Sequence, residues 1–283
     1  MRFTVSLSRV EPENVLEVAR LAETLGFDGI GIPDSIVYPQ SAGEDYPYTA
    51  DGKREIRDIP FVDPLATAAA VGAATSRVHI KTAVLKLPMR SPVLVAKQVA
   101  TIAVLTGERF QLGVGTSPWQ YDYEVAGVPW EGRGSRFEEA IEVIRGLITG
   151  EFFGYSGRHF AFQPVHLNPA PTRPVPIIIG GHGDINLRRA ATLADGWIAA
   201  TATPREVLPG LIGRLREQLE IAGRGPGFEI HAPWKDEPGA FEELMELGVT
   251  EATLRMPLLE EGEPAMDQRR RMMEGWARTL LAR

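Results

Sequence analysis

The chain contains no cysteine. That excludes a disulfide scaffold, a thiolate nucleophile and a cysteine-ligated metal. It also lacks an excess of positive charge: 30 Lys and Arg stand against 37 Asp and Glu, a formal charge of −7. This balance argues against nucleic acid or an anionic membrane as partner and favours a small-molecule substrate. Long hydrophobic runs are missing too. The most apolar stretch, Pro64 to Ala74, is too short and alanine-rich to cross a bilayer and reads as a buried helix. Histidine is scarce: His79, His159, His166, His182 and His231 are the five, with no pair two or four residues apart. No metal is expected from them, and most are expected at the surface or the core edge. The start, Met1 to Ser8, alternates like a strand and has no signal-peptide layout, so a cytoplasmic protein is expected.

With 283 residues, 44% hydrophobic and 24% charged, there is enough chain for one α/β barrel or two smaller domains. Periodicity chooses between them. Strands are predicted at Arg2 to Ser8, Phe27 to Ile32, Val78 to Leu85, Phe110 to Gly115, Pro176 to Ile179, Gly196 to Ala200, Phe228 to His231 and Glu251 to Arg255. Helices are predicted between and after them, at Pro12 to Leu25, Asp63 to Ala74, Pro92 to Leu105, Ser135 to Thr149, Asp184 to Leu193, Pro204 to Ile221, Pro238 to Leu247 and Pro264 to Ala282. Pro12, Pro92 and Pro204 suit first helical turns, and Gly26, Gly107, Gly150 and Gly248 follow helix ends. Eight β-then-α units over this length predict a single (β/α)₈ TIM barrel spanning residues 1–283. Its interior strands are expected to be apolar on both faces, as in Ile177-Ile178-Ile179.

Two connections exceed ordinary loop length. Pro33 to Pro60 is rich in Tyr, Gly and charge and is expected to act as a lid over the barrel mouth. Glu151 to Pro174 alternates aromatic and polar residues and is expected to form a small hairpin insertion.

Active sites of such barrels lie at the C-terminal ends of the strands. The relevant residues are Pro33-Asp34-Ser35, Thr82-Ala83-Val84-Leu85, Gly113-Val114-Gly115-Thr116-Ser117 and Gly180-Gly181-His182. The run Val175-Pro176-Ile177-Ile178-Ile179-Gly180-Gly181-His182-Gly183, ahead of helical Asp184 to Ala190, has the form of a phosphate site, with bare backbone N–H groups and the positive end of a helix; the plainer alternative is a glycine turn. Gly113-x-Gly115 is a poor dinucleotide fingerprint because Pro118 stands where the third glycine belongs. Lys81 and Lys86 are expected to meet solvent or an acidic ligand group. Asp34 reads either as a proton relay or cofactor acceptor, or as a turn cap. Trp119, Tyr121, Tyr38 and Tyr46 are candidates to stack on a flat ligand, or simply to pack against loop bases.

Five segments in order resemble the bacterial-luciferase-like superfamily, the luciferase-like monooxygenase family. They are Ala22-Glu23-Thr24-Leu25-Gly26-Phe27-Asp28-Gly29; Val78 to Pro88 with Arg90 to Gln98; Gly107 to Gly115; Ile179-Gly180-Gly181; and Ala194-Asp195-Gly196-Trp197. The resemblance implies a (β/α)₈ barrel, a homodimer, and coenzyme F420 or FMN at the C-terminal mouth. It places a non-prolyl cis peptide at Ala83-Val84 under the tricyclic ring, flanked by Thr82. Asp34 and Ser35 fall near the ring edge, and Thr116, Ser117 and Trp119 near the cofactor side chain. Ile179, Gly180, Gly181 and His182 fall at the phosphate.

The third-strand sequence and Pro33-Asp34-Ser35 look more like the deazaflavin, F420-dependent branch. That branch implies hydride transfer to or from a small organic substrate. The alternatives are an FMN-dependent monooxygenase with a separate flavin reductase as partner, and a non-catalytic flavin or phosphorylated-ligand binding protein. F420-dependent sugar-phosphate dehydrogenases resembling this chain carry a histidine after the aspartate and a glutamate after the fourth strand, where Ser35 and Pro118 stand here. The proton donor or acceptor is therefore open among Asp34, His182 and Tyr46.

Overall fold

A computed structural model describes residues 1–40, 57–260 and 262–281. The strands are β1 (Arg2–Ser6), β2 (Gly29–Ile32), β3 (His79–Thr82), β4 (Leu85–Lys86), β5 (Phe110–Gly115), β6 (Phe153–Ser156), β7 (Ala161–Val165), β8 (Ile177–Gly180), β9 (Gly196–Ile198), β10 (Glu229–Pro233) and β11 (Glu251–Arg255). The helices are α1 (Val15–Leu25), α2 (Pro64–Ala74), α3 (Pro92–Leu105), α4 (Gln120–Val125), α5 (Arg133–Leu147), α6 (Asp184–Leu193), α7 (Leu208–Ile221), α8 (Ala240–Glu246) and α9 (Ala265–Trp276).

Nine strands form one parallel sheet in the order β3-β2-β1-β11-β10-β9-β8-β5-β4, and β3 also pairs with β5. The sheet is thus a closed barrel of eight staves, with β3 and β4 as two pieces of one stave. This is the expected (β/α)₈ fold. Predicted and observed bounds coincide for Phe110–Gly115, Glu251–Arg255, Pro92–Leu105 and Asp184–Leu193.

Local chemistry accounts for the element ends. Asp63 accepts from the backbone N–H groups of Leu65 and Ala66, and Pro64 opens α2. Gly26 closes α1 at φ +94°, the left-handed region open to glycine. The Glu23 carboxylate accepts from the amides of Ser76, Arg77 and Val78 and so pins the turn into β3. Arg109 likewise donates to the carbonyls of Gly72, Thr75, Val78 and Thr106.

Two layers of side chains leave the barrel wall. Phe3 and Val5 of β1, Ile30 and Ile32 of β2, and Leu112 and Val114 of β5 face outward into the helix–sheet core. The inward face is different from the apolar one expected. Thr4, Ser6, Lys81, Gln111, His231, Glu251 and Thr253 are all buried polar residues of barrel strands. Lys81, expected to meet solvent or ligand, is fully buried and ion-paired to Glu251; its Nζ also lies 2.9 Å from His231 Nδ1. Arg2 and His79 reach Glu251 at 3.1 Å, and Thr4 donates to it at 2.6 Å. His231 Nε2 lies 2.7 Å from Glu229.

Burial acts to raise the Glu251 carboxyl, but Lys81, His231 and His79 overcome it and hold the group well below the usual range. Glu229, His231 and Glu251 bring potential ligand atoms within 4.8 Å of one another, a grouping missed by reading histidine spacings alone. Lys81 and Arg2 supply the positive charge in this cluster.

The Glu151–Pro174 connection contains the expected hairpin, with β6 and β7 antiparallel. The centre of the Pro33–Pro60 loop, including Tyr46, lies outside the described residues. No helix among the described residues is long and apolar enough to cross a membrane.

Candidate functional site

The C-terminal ends of the staves open into a cavity of about 540 Å³, within the size range of small-molecule sites. Its centre is the interruption between β3 and β4. The predicted strand Val78 to Leu85 is divided there, and the Ala83–Val84 peptide at the break is cis, as the resemblance implied. Val84 projects between two neighbouring staves that have no side chain at the contact. A Cβ on Gly115 would lie 2.9 Å from Val84 Cγ2, and one on Gly180 would lie 3.2 Å and 3.3 Å from its two methyl groups. A Cβ on Gly113 would lie 1.9 Å from the Thr82 carbonyl oxygen. Gly113-x-Gly115 therefore makes room for the bulge.

Beside the bulge, Asp34 Oδ2 accepts from the Lys86 amide at 2.9 Å and from Arg90 Nη2 at 2.8 Å. Its side chain is only 3% exposed although the residue lines the cavity. Lys86 also lines the cavity and pairs with Asp122 at 2.5 Å, whose same oxygen accepts from Ser117 Oγ at 2.6 Å. Asp122 lies on α4, a short helix absent from the sequence-based expectation. Tyr123 on the same helix donates to the Thr116 carbonyl, and burial pushes its phenol well above the usual value. Trp130 packs edge-on to Tyr123, with centroids 5.0 Å apart, and the Arg133 guanidinium lies 3.6 Å over the Trp130 ring.

At the end of β8, Gly181 adopts φ +132°, and a Cβ there would fall 2.6 Å from Asn186 Nδ2 in the first turn of α6. Trp197 Nε1 donates to the Gly181 carbonyl at 2.8 Å and fixes the turn from below. The result is a bare-backbone cradle at a helix N-terminus.

Of the expected cofactor contacts, Asp34, Ser35, Ala83, Val84, Thr116, Ser117, Trp119, Gly180 and Gly181 line one cavity. Thr82 and Ile179 stand behind that lining, both buried, with Thr82 Oγ1 donating to the Gly113 carbonyl at 2.6 Å. His182 is also outside the lining. Its Nε2 accepts from the Ala200 amide at 3.2 Å and lies 3.0 Å from Thr203 Oγ1. Burial and then Arg214 lower its pKa, which keeps the ring neutral. Tyr121 is exposed, and Tyr38 is not among the lining residues. Sequence reasoning missed Arg90, Asp122, Trp130, Arg133, Asn186 and Arg255. A signal existed for two of them, in Trp130-x-Gly132-Arg133 just ahead of a helix.

The described lining holds four cations, Arg9, Lys86, Arg133 and Arg255, against one carboxylate, Asp34. In a chain of formal charge −7 this is a locally positive mouth.

A family model described as luciferase-like monooxygenase matches residues 2–274. The chain belongs to that family. An uncharacterized protein of Mycobacterium tuberculosis is 46% identical over 232 residues, covering 82% of this chain and 80% of the relative. An F420-dependent glucose-6-phosphate dehydrogenase of Nakamurella multipartita is 30% identical over 227 residues, covering 78% of this chain and 62% of the relative. Among solved structures, the coenzyme F420 dependent tetrahydromethanopterin reductase of Methanopyrus kandleri superposes with a TM-score of 0.75 over 99% of this chain and 98% of its own, at 15% identity. The identity is low enough that this last similarity bears on the fold alone.

Proposed function

We propose that this protein is an F420-dependent oxidoreductase that transfers hydride to or from a small organic substrate. The observation that carries the reading is one mouth holding both the Val84 bulge, seated against Gly115 and Gly180, and the Gly181 cradle that directly follows Gly180. A flat ring needs a firm backstop. A phosphodiester needs exposed amides and positive charge. The 30% identical F420-dependent dehydrogenase supports the choice of cofactor.

In this reading Ala83 and Val84 support the ring, Asp34 accepts at its edge, Thr116 and Ser117 meet the side chain, and Gly180, Gly181 and Asn186 hold the phosphate. Bound there, the deazaflavin supplies two-electron chemistry as hydride at C5. The chain's own residues orient it and set the local charge. Arg90 and the Lys86 amide fix the Asp34 carboxylate so that it holds one position. His182 ties the turn after β8 to Ala200 and Thr203, a positioning role. Ser35 and Pro118 leave the mouth without the histidine and glutamate implied for sugar-phosphate oxidation, so the substrate is of another kind.

Anaerobic assays with reduced F420 and a panel of ketones, imines and activated alkenes test this. Reoxidation of the deazaflavin by at least one compound is expected. Turnover that requires reduced FMN and oxygen would overturn the proposal.

A further inference from the structure

We propose that the β1/β11 side of the mouth is an oxyanion subsite, built on Arg255 and Ser6 with Lys235 adding positive charge, that takes a carboxylate or phosphate group of the substrate. The inference deepens the reading of the mouth as a cofactor site and rests on it for the word substrate. Arg255 ends β11, lines the cavity and is partly buried. Its Nε is shielded from solvent and has no hydrogen-bond partner. Among the described residues, no carboxylate lies within ion-pair distance of its guanidinium. Lys235 follows β10 by two residues, behind the cavity lining; it is also partly buried and has no ion pair among the described residues.

The two cations feel each other. Burial, and then Arg255, pushes the Lys235 ammonium below its ordinary value. Glu237 and Glu206 act in the opposite sense, but Glu237 is already engaged by Arg205 at 3.3 Å. The other cations around the mouth are placed differently. Lys86 pairs with Asp122, Arg90 pairs with Asp34, and Arg133 lies over Trp130. A partly desolvated guanidinium with no ion pair among the described residues is costly unless an anion joins it. Ser6, the register partner of Arg255, adds a hydroxyl that also lines the cavity. Its oxygen accepts from the Ser8 amide at 3.2 Å, which leaves the hydroxyl proton for an acceptor.

Topology separates this group from the phosphate cradle. Around the closed barrel, Ser6 on β1 lies four staves from β8 and Arg255 on β11 lies three. The cofactor phosphate and the substrate anion would thus sit at separate places on one mouth. That geometry orients a small substrate by its charged end.

The test uses the full chain and three probes: inorganic phosphate, hexanoate and neutral hexanamide, each titrated calorimetrically with and without F420. Wild type is expected to bind phosphate or hexanoate at least tenfold more tightly than hexanamide, and which of the two anions is preferred identifies the group. Arg255→Gln should weaken anion binding about tenfold or more and Lys235→Gln by less, both leaving hexanamide unchanged, while Arg255→Lys retains most of the affinity. F420 affinity, followed by fluorescence, should stay within about twofold in all three variants, and circular dichroism verifies folding. Equal binding of hexanoate and hexanamide would overturn the inference, as would F420 affinity falling in parallel with anion affinity, which would place Arg255 in the cofactor cradle. Anion binding that persists in a protein unable to bind F420 would sink the functional reading and leave the oxyanion subsite standing.

Discussion

Replacing Gly181 with alanine probes the proposed phosphate cradle through a single methyl group. At φ +132° an L-residue is strained whatever space surrounds it, at a cost of about 1–3 kcal/mol. Space is lacking as well. The added Cβ would lie 2.6 Å from Asn186 Nδ2 and 2.9 Å from Asn186 Cβ and Cγ. The amide end of Asn186 can swing aside, but its Cβ is fixed to the first turn of α6, so either the helix start or the Gly181 backbone must move. If the backbone relaxes in the free protein and is forced back on binding, about 1–3 kcal/mol appears as a roughly 5- to 150-fold weaker Kd. If it does not relax, the same energy appears as lost stability. Fluorescence titration with F420 and urea unfolding, done on the same preparation, capture both routes. Gly183→Ser is the control: φ there is −72°, an added Cβ would have no atom within 4 Å, and serine is a good N-cap, so stability and affinity should hold or improve slightly. Gly181→Ala matching wild type in both stability and affinity would refute the reasoning.

Three further outcomes follow from the polar interior and the ring edge. Lys81→Met leaves Glu251 buried without its principal cation and should cost about 3–5 kcal/mol in urea unfolding, with part of the loss recovered in the double variant with Glu251→Gln; no recovery would mean the two residues are not coupled. Acid should destabilise the fold in two stages. His231 and His182 have folded pKa values lowered by burial, so stability falls first as pH drops through about 6.5, where the unfolded imidazoles gain protons. Glu229, held at about 2 from the ordinary 4.5, keeps its contribution above pH 4.5 and loses it as pH falls toward 2; with solvent screening at its partly exposed edge that contribution is roughly 2 kcal/mol, and Glu251 acts in the same direction. Equal urea midpoints at pH 7, 5 and 3 would contradict this. Asp34→Asn removes the charge facing Arg90 and should lower stability by about 1–3 kcal/mol while raising the F420 Kd; no change in either would make Asp34 a turn residue only.

The barrel was legible because proline and glycine punctuate its β/α units locally: Pro92 opens α3, and Gly26 closes α1. Several motifs that mark the family turn out to be clamps. Glu23 holds the turn into β3, Arg109 gathers four carbonyls, and Asp195 accepts from the Ile177 amide and from Arg145. Such short-range devices leave strong sequence signals.

The polar barrel interior was not legible. Lys81 and Glu251 are 170 residues apart, and their one-in-two alternation with apolar neighbours appears as half-buried strands until closure puts both inside. The third stave was misjudged at its end because two short pieces, β3 and β4, read in sequence as one apolar run, and α4 was missed because six residues give no periodicity. At the site, the glycines and Asp34 were found from strand ends. Arg255 was read only as the end of a strand, and its place in the mouth depends on register with Ser6.

The most direct measurement is a side-by-side equilibrium titration of the purified protein with F420 and FMN, followed by cofactor fluorescence. Tight binding of F420 at one site per chain, much weaker binding of FMN, and loss of F420 affinity in Gly181→Ala are expected. Tighter binding of FMN, or F420 affinity indifferent to the Gly181 change in stability-matched protein, would contradict the assignment of this mouth as a deazaflavin site.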